Sequence, residues 1–363
     1  MKNRKYDLWL SRVEDIGPAK LHRIYAACAS AEECYHLPEK ELLMIYGLED
    51  KDVRKILASK EHADLDREYE EFEKTGIRMV GPEDPDFPEV LKEISSPPYW
   101  LFVRGRLPDF SRPRVAVVGA RTCSDYGRSM ARLIAKVLAE ANVQVISGMA
   151  RGIDSQAHLG ALSAERDTYA ILGCGVDVCY PLESRGIFTE IPKRGGLISE
   201  YPPGEEPRAG YFPVRNRLIS GFSDAVVVVE ARKRSGSLIT ADLALEQGRD
   251  VYALPGRITD SLSVGTNRLI AQGATPVISM ADLLKDLEIT NASFREKEPR
   301  ETVSLVKTEQ KVFQKLSFES ADMERLLKET GLSIPTLTEI LVKLQNLGLV
   351  EESFKNYYRR ADA

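Results

Sequence analysis

The segment 114–127, RVAVVGARTCSDYG, constrains the fold more than any other part of the sequence. Small apolar residues lead to Gly119, a short polar loop carries Arg121, and a helix is predicted beyond it. An apolar strand that ends in glycine and opens a helix is how α/β proteins build sites for anions, because free N–H groups at the helix start point at the ligand. The dinucleotide-binding fingerprint needs glycine where this chain has Arg121 and Ser124. The sequence therefore indicates an anion site in which a guanidinium replaces bare backbone.

Apolar runs alternate with helical segments throughout the middle of the chain. The runs that we interpret as strands lie near 114–118, 143–147, 168–173, 225–229 and 250–254, with shorter ones at 77–80 and 276–278. Strands that are apolar along their whole length and alternate with helices indicate a parallel sheet covered on both faces. We therefore predict an α/β fold in which residues 77–288 form an extended Rossmann-like parallel sheet domain.

Arginines gather in the loops at one end of these strands. In a parallel α/β sheet, ligands bind beyond the carboxyl ends of the strands. The basic residues predicted to lie there are Arg121, Arg151, Arg215, Arg217, Arg232, Lys233, Arg234 and Arg257. Glycine and serine residues in the same loops, as in the turn 235–237, add backbone N–H donors. A row of guanidinium groups and N–H donors along one edge of the sheet suits several phosphates better than one.

The regional charge balance separates the sheet domain from its flanks. The chain has a net charge of −5, which by itself argues against a nucleic-acid partner. Residues 101–280, however, contain 22 Lys and Arg against 18 Asp and Glu, and 19 of those cations are arginines. Arginine forms bidentate phosphate contacts and stacks on bases, so this distribution favours a nucleic-acid partner for the sheet domain. A genomic bias toward arginine is the alternative.

Residues 1–72 are predicted to form a small helical domain. The stretch 13–20, VEDIGPAK, is followed by an apolar helix and resembles the hairpin of helix-hairpin-helix modules in SAM-like domains. In such modules a glycine turn offers backbone N–H groups to a phosphate. A plain corner between two helices is the alternative. It is favoured by the acidic composition, since residues 1–100 have a net charge of −7.

The end of the chain is predicted to be a separate unit. Residues 289–303 are polar and aperiodic, which is typical of a linker. Residues 304–363 are predicted to form a winged-helix-like domain with three helices and a hairpin. This domain carries 9 cations and 9 anions, a balance poorly suited to a DNA groove. We therefore expect it to have a protein-contact or regulatory role.

Several classes of protein are disfavoured by what the sequence lacks. Residues 1–15 lack the apolar core of a signal peptide, and no run approaches the ~18 apolar residues of a membrane span, so we expect a cytoplasmic protein without a membrane segment. The five cysteines contain no C-x-x-C pair, which argues against disulfides and structural zinc. P-loop, metal-triad and G-x-S-x-G motifs are absent, and we predict neither metal nor cofactor.

Seven short motifs follow one another along the sheet domain. They are Gly-Ala-Arg (119–121), Ser-Gly-Met-Ala-Arg-Gly-Ile-Asp (147–154), Phe-Pro-Val-Arg-Asn-Arg (212–217), Val-Val-Val-Glu-Ala (227–231), Ser-Gly-Ser-Leu-Ile-Thr-Ala (235–241), Val-Tyr-Ala-Leu-Pro-Gly (251–256) and Gly-Thr-Asn-Arg-Leu-Ile (265–270). In this order they resemble the DNA-processing protein A family, also called DprA or Smf. The resemblance covers about half of the chain.

The resemblance implies a non-enzymatic protein that binds and shields single-stranded DNA. It also implies help in loading the RecA recombinase onto that DNA, in natural transformation (competence) or related recombination, and work as a homodimer. Carried over by position, the implied DNA-binding set is Arg121, Gly148, Arg151, Gly152, Arg215, Asn216, Arg217, Ser235, Gly236 and Ser237. In one motif, Ser184 stands where the family commonly has asparagine, and Arg185 is a candidate replacement.

The chemistry of this set suggests a division of roles. Its arginines would pair with successive phosphates or stack on bases. The N–H groups of Gly148 and of the turn 235–237 would bind phosphate oxygens. Asn216 would orient its loop or touch a base edge.

Three other polar residues near the predicted site have structural interpretations. Asp154 is expected to cap a helix or to pair with an arginine. Glu230, at a strand end, suggests acid–base chemistry, but pairing with Arg215 or Arg217 is the simpler expectation. His158 is expected to pack inside the fold.

Two rival functions use the same fold. One is an enzyme like the nucleotide phosphoribohydrolases of the lysine-decarboxylase-like group, which carry a Pro-Gly-Gly-x-Gly-Thr-x-x-Glu stretch after a late strand. At the comparable place, residues 232–241, this chain has RKRSGSLITA and lacks that glutamate pattern. The other is an adaptor with a vestigial site, against which the row of arginines argues, because an unused site has no reason to keep them on one edge.

Overall fold

The N-terminal part of the chain is helical. A computed structural model describes residues 4–61, 64–289, 305–317 and 320–360. Its first helices are α1 Arg4–Ser11, α2 Pro18–Ala27, α3 Ala31–His36, α4 Glu39–Leu42, α5 Asp50–Glu61 and α6 Leu65–Lys74. They share a hydrophobic cluster with the sheet, in which Trp9 and Ile56 meet Trp100 and Phe102. Packing against the sheet supplies the apolar burial that such short helices need.

The hairpin between α1 and α2 lies beside the turn that precedes α5. Lys20 Nζ lies 2.7 Å from Asp52 Oδ1, and Lys55 pairs with Asp15 of the first hairpin. The lysines at these turns are therefore neutralised by carboxylates, as the acidic composition suggested. The helix-hairpin-helix assignment itself stays a prediction.

Within the described residues, the central sheet has nine strands. They are β1 Arg78–Val80, β2 Leu101–Gly105, β3 Arg114–Val118, β4 Gln144–Ser147, β5 Thr168–Ile171, β6 Gly196–Ser199, β7 Ala225–Val228, β8 Asp250–Ala253 and β9 Thr275–Pro276, in the spatial order β1-β2-β6-β5-β4-β3-β7-β8-β9. The strands from β6 to β9 in this order are parallel to one another. At the other edge, β2 runs antiparallel to both of its neighbours, β1 and β6. The predicted α/β class and the Rossmann-like sheet are confirmed.

Helices cover both faces of the sheet. They are α7 Asp125–Glu140, α8 Ile153–Ser163, α9 Arg185–Arg194, α10 Tyr211–Gly221, α11 Gly236–Glu246, α12 Val264–Ala271 and α13 Met280–Asp286, with 3-10 turns at Glu89–Leu91 and Leu182–Ser184. Successive side chains of β3 lie on opposite faces of the sheet. Val117 packs in one cluster with Ile134 of α7, whereas Val118 packs in the other with Leu218 of α10. Burial on both faces explains why the strands are continuously apolar.

Two strands of this sheet, β2 and β6, were not predicted as strands from the sequence. Leu101–Gly105 follows the prolines 97 and 98 and pairs with both β1 and β6. In β6 only Leu197 and Ile198 are apolar, and glycines precede them. The residue that follows β6, Glu200, pairs with Arg217 of α10.

The C-terminal part contains three helices and a hairpin where they were predicted. The elements are α14 Lys307–Lys315, β10 Ala321–Asp322, α15 Met323–Thr330, α16 Ile334–Asn346, β11 Val350–Phe354 and β12 Tyr357–Arg360. Its Arg359 Nη1 donates to Ser129 Oγ of α7 at 2.5 Å. The winged-helix assignment stays a prediction, and residues 290–303 of the predicted linker lie outside the described residues. No helix in the described ranges is long and apolar enough to cross a membrane.

Candidate nucleic-acid interface

A cleft of about 430 Å³ opens at the carboxyl ends of β3 and β7. The strand order reverses here, with β4 on one side of β3 and β7 on the other, which is where open α/β sheets bind ligands. The cleft is lined by Val118, Gly119, Ala120, Arg121, Thr122, Ala150, Asp154, Phe212, Pro213, Arg215, Asn216, Ile219, Arg232, Arg234, Ser235, Gly236, Ser237 and Thr240. Six of the ten predicted site residues are therefore brought together.

An exposed arginine and two aromatic rings lie together at one side of the cleft. The Arg121 guanidinium carbon lies 5.3 Å from the centroid of the Phe212 ring, close enough for a cation–π contact. The Tyr180 ring, with 44% of the residue exposed, lies 5.4 Å from the Phe212 ring. We call Arg121, Tyr180 and Phe212 the aromatic shelf. Phe212 lies within the motif 212–217, but neither ring belongs to the implied DNA-binding set.

The N-terminus of α11 faces the shelf from the other wall. Ser235 precedes the helix, its Oγ lies 2.8 Å from Ser237 Oγ, and within the described residues no side chain caps the helix start. Exposed Arg232 and Arg234 stand next to it. The partial positive charge of a helix N-terminus and these two guanidinium groups make this wall suitable for a phosphate, as predicted for the turn 235–237.

Arg215 lines the cleft, but its guanidinium forms hydrogen bonds within the protein. It is 3% exposed, and its Nη1 donates to the carbonyl oxygens of Gly148, at 2.7 Å, and Ile171. Burial lowers its pKa to about 10, opposed by the nearby Asp154 carboxylate. Arg215 thus braces the ends of β4 and β5, which limits its predicted pairing with a phosphate.

Asp154 is buried near Arg215 and is not the N-cap of α8. Gly152 is the N-cap of α8, and the Asp154 carboxylate accepts from Ala150 N at 3.3 Å. Burial raises its pKa, while Arg215 acts in the opposite direction. The expected helix cap is therefore wrong, and the pairing of Asp154 with an arginine stays a prediction.

Gly148 and Gly152 shape the loops instead of lining the cleft. A Cβ on Gly148 would lie 2.4 Å from Arg215 Nη1, and one on Gly152, whose φ is +76°, would lie 2.3 Å from the carbonyl oxygen of Ala120. Gly148 does not line the cleft, and its predicted contact with a phosphate stays a prediction. Close approach of the backbone explains both glycines.

Arg217 also departs from its predicted role. It is 5% exposed and forms a bidentate pair with Glu200, with both N–O distances at 2.5 Å. Its Nε donates to the carbonyl oxygen of Ser96 at 2.8 Å. All three nitrogens are used inside the protein, and Arg217 does not line the cleft. Pairing with a phosphate does not fit this position.

Arg151 and Asn216 complete the predicted set. Arg151 is exposed outside the cleft lining and forms an ion pair with Glu183 at 2.6 Å. Asn216 Nδ2 donates to the carbonyl oxygen of Gly236 at 3.2 Å, which ties α10 to the start of α11. Of the two roles considered for Asn216, this contact favours orientation of the loop.

A family model described as DNA recombination-mediator protein A matches residues 78–288, more than half of the chain. The chain belongs to this family. Protein Smf from Synechocystis is 32% identical to it over 99% of this chain and 100% of its own length.

Two solved structures of the family are also similar. DNA processing protein A from Streptococcus pneumoniae has a TM-score of 0.69 and 34% identity, covering 79% of this chain and 99% of its own. A structure that concerns the single-stranded DNA binding mode of DNA processing protein A from Helicobacter pylori has a TM-score of 0.53 and 28% identity. It covers 58% of this chain and 95% of its own. The recognition of the family from the seven motifs is confirmed.

The departure from the family pattern at Ser184 lies away from the cleft lining. Ser184 is buried, and its Oγ lies 3.2 Å from Ser155 Oγ of α8. The neighbouring Arg185 is exposed. The Ser184 hydroxyl thus packs against α8, and Tyr180 of the aromatic shelf precedes it in the same loop.

Glu230 and His158 are both buried, and neither lines the cleft. The expected pairing of Glu230 with Arg215 or Arg217 is wrong, because its carboxylate accepts from Ser124 N at 2.9 Å and from Ser124 Oγ. His158 packs inside the fold as expected, with Nδ1 2.7 Å from Thr168 Oγ1, and burial lowers its pKa to about 3.

Proposed function

We propose that this protein binds single-stranded DNA in the cleft between β3 and β7. The observation that carries the proposal is the aromatic shelf facing the N-terminus of α11. Rings next to a guanidinium can stack bases of any sequence, while Arg232, Arg234 and the helix N–H groups receive the backbone phosphates. A single strand is favoured over a duplex, because bases can stack on rings only when they are unpaired.

The family supports this proposal. The Helicobacter pylori relative is a protein with a described single-stranded DNA binding mode, and it is 28% identical to this chain. The net positive charge of residues 101–280, in a chain that is acidic overall, also favours binding of DNA by the sheet domain.

We further propose that the site performs no chemistry. Asp154, the acidic residue that lines the cleft, accepts a hydrogen bond from Ala150 N, and Glu230, which does not line the cleft, accepts from Ser124 N. The glutamate stretch of the phosphoribohydrolases is replaced by the basic residues 232–234 and the turn after them. A binding role is therefore favoured over the enzyme alternative.

The wider role rests on the family resemblance. We propose that the protein acts in the cytoplasm as a homodimer, shields single-stranded DNA during natural transformation or recombination, and helps load RecA onto it. Light scattering checks the dimer. Faster RecA filament formation on strands coated with single-strand-binding protein supports loading, and an unchanged rate refutes it.

The binding proposal is tested by titrating a fluorescent oligonucleotide with the full chain. We expect sub-micromolar affinity, little dependence on sequence, and weaker binding at higher salt. Arg121→Ala is expected to weaken binding about tenfold, as for one charge-assisted hydrogen bond. The matched control is Arg67→Ala, whose side chain is 74% exposed in α6, far along the chain from the cleft. Equal binding by wild type and Arg121→Ala would refute the assignment of the cleft.

A further inference from the structure

Glu230 is a buried carboxylate for which the proposed function has no role. It follows β7, is 4% exposed, and does not line the cleft. One of its oxygens accepts from Ser124 N at 2.9 Å, and the other accepts from Ser124 Oγ. Burial raises the pKa of this carboxyl group, so the ionised form is held at a cost in free energy. Such a cost calls for an explanation in terms of what the carboxylate holds in place.

Glu230 holds the end of the loop 119–124 that adjoins α7. This loop carries Arg121, and we call it the Arg121 loop. Ser124 is the N-cap of α7, and its Oγ accepts from Gly127 N at 3.0 Å. At the near end of the loop, the carbonyl oxygen of Ala120 accepts from Ile153 N at 3.2 Å. The loop is thus fixed on either side of Arg121, by α8 at one end and by Glu230 at the other.

The first turn of α7 is shaped to admit this carboxylate. A Cβ on Gly127 would lie 2.2 Å from the Glu230 carboxyl carbon, so a larger residue at position 127 would displace the carboxylate from this position. Parallel pairing of Val118 with Val228 places the loop after β3 beside the residues that follow β7. Glu230 and Ser124, 106 residues apart, meet because of this register.

We propose that Glu230 is a positioning residue that fixes the Arg121 loop in the geometry required to bind single-stranded DNA. The inference rests on the proposed function of the cleft. Glu230 itself touches no DNA. It acts through the two hydrogen bonds to Ser124, which hold the start of α7 and so keep the Arg121 guanidinium over the Phe212 ring.

Two variants of similar length separate this role from burial alone. In Glu230→Gln, the amide oxygen can accept from Ser124 N and the amide nitrogen can donate to Ser124 Oγ, so we expect binding close to that of wild type. Glu230→Met fills the same space without either hydrogen bond. We expect it to weaken oligonucleotide binding about tenfold, as Arg121→Ala does, and to lower the thermal midpoint, because Ser124 N and Oγ lose their acceptor.

The deciding measurement is a double-mutant cycle in the full chain. If Glu230 acts through Arg121, Glu230→Met causes no further loss of affinity in an Arg121→Ala background. The slope of log K against log salt should also fall by about 0.7, one single-strand phosphate contact, in both single variants. Equal losses with and without Arg121 would overturn the inference in favour of a general structural effect.

A measurement without DNA separates failure of the inference from failure of the function. Amide hydrogen exchange at residues 121–126 is expected to be faster in Glu230→Met than in Glu230→Gln or wild type. If wild type binds no oligonucleotide, the proposed function is overturned, and the positioning role for DNA with it. If wild type binds and Glu230→Met binds equally well, or its loop exchanges no faster, the positioning role alone is overturned.

Discussion

Arg121 and Arg217 belong to the same arginine-rich edge of the sequence, but the structure gives them opposite surroundings. Arg121 is exposed at the mouth of the cleft against an aromatic ring. Arg217 is enclosed, with Glu200 and a carbonyl oxygen satisfying its guanidinium. One arginine can exchange water for a phosphate, whereas the other would first have to break a buried ion pair. An arginine in a binding motif can therefore serve either the ligand or the walls of the site.

The largest effect that sharpens this comparison is expected for Arg217→Met. Removal of one member of a buried ion pair leaves Glu200 without a counter-charge, which typically costs about 3–5 kcal/mol in the free energy of unfolding. Urea denaturation measures the loss. Arg121→Ala, by contrast, should change the free energy of unfolding by less than ~0.5 kcal/mol.

The matched control is the double variant Arg217→Met with Glu200→Leu. Replacing both members of a buried pair with apolar residues should restore most of the stability. A single Arg217→Met variant as stable as wild type, but defective in DNA binding, would contradict the structural role assigned here and return Arg217 to the binding set.

The surroundings of Arg121 can be predicted from the sequence, whereas those of Arg217 cannot, and the reason is physical. The surroundings of Arg121 are set by a local pattern, an apolar strand, a glycine and a helix start. The partner of Arg217 follows β6, a strand with only two apolar residues after paired glycines, which periodicity does not reveal. Without β6 in its place beside β5, Glu200 cannot be placed next to α10. Glu230 and Ser124 pose the same problem, because strand register brings them together.

A second buried group, His158, extends the comparison to pH. Its pKa is lowered to about 3 in the folded protein, against about 6.5 when exposed, because burial disfavours the imidazolium. The unfolded chain therefore takes up a proton first as pH falls. The stability contributed by neutral His158 is fully present above pH 6.5 and is lost by about 1.4 kcal/mol per pH unit below it. We expect His158→Gln to flatten this dependence between about pH 6.5 and pH 4.5.

The measurement is urea denaturation of both proteins across this pH range, scored as the difference between them. Asp154 and Glu230 are common to both proteins, and their raised pKa values act in the opposite direction, so the difference isolates His158. Parallel pH profiles for wild type and His158→Gln would show that the imidazole titrates normally.

On the exposed side of the comparison, Phe212→Ala tests the aromatic shelf. Loss of a stacking ring typically costs about 1–3 kcal/mol of binding free energy per base, so we expect affinity to fall tenfold or more. Because the ring carries no charge, the slope of log K against log salt should stay at its wild-type value, whereas Arg121→Ala should reduce it. Phe212→Tyr keeps a ring and serves as the control. A reduced salt slope in Phe212→Ala would mean that the ring acts only by holding Arg121.

The smallest effect is expected for Arg151→Ala. Arg151 is exposed like Arg121, but it lies outside the cleft lining and its ion pair with Glu183 is exposed on both sides, a kind of pair that contributes about 0–1 kcal/mol to stability. We expect near-wild-type unfolding and at most a threefold loss of affinity for short oligonucleotides. Glu183→Ala, which frees the same guanidinium, provides the matched comparison in one titration series. If Arg151→Ala instead weakens binding as much as Arg121→Ala, the DNA path continues from the cleft across the start of α8, and exposure rather than cleft position is what distinguishes the binding arginines.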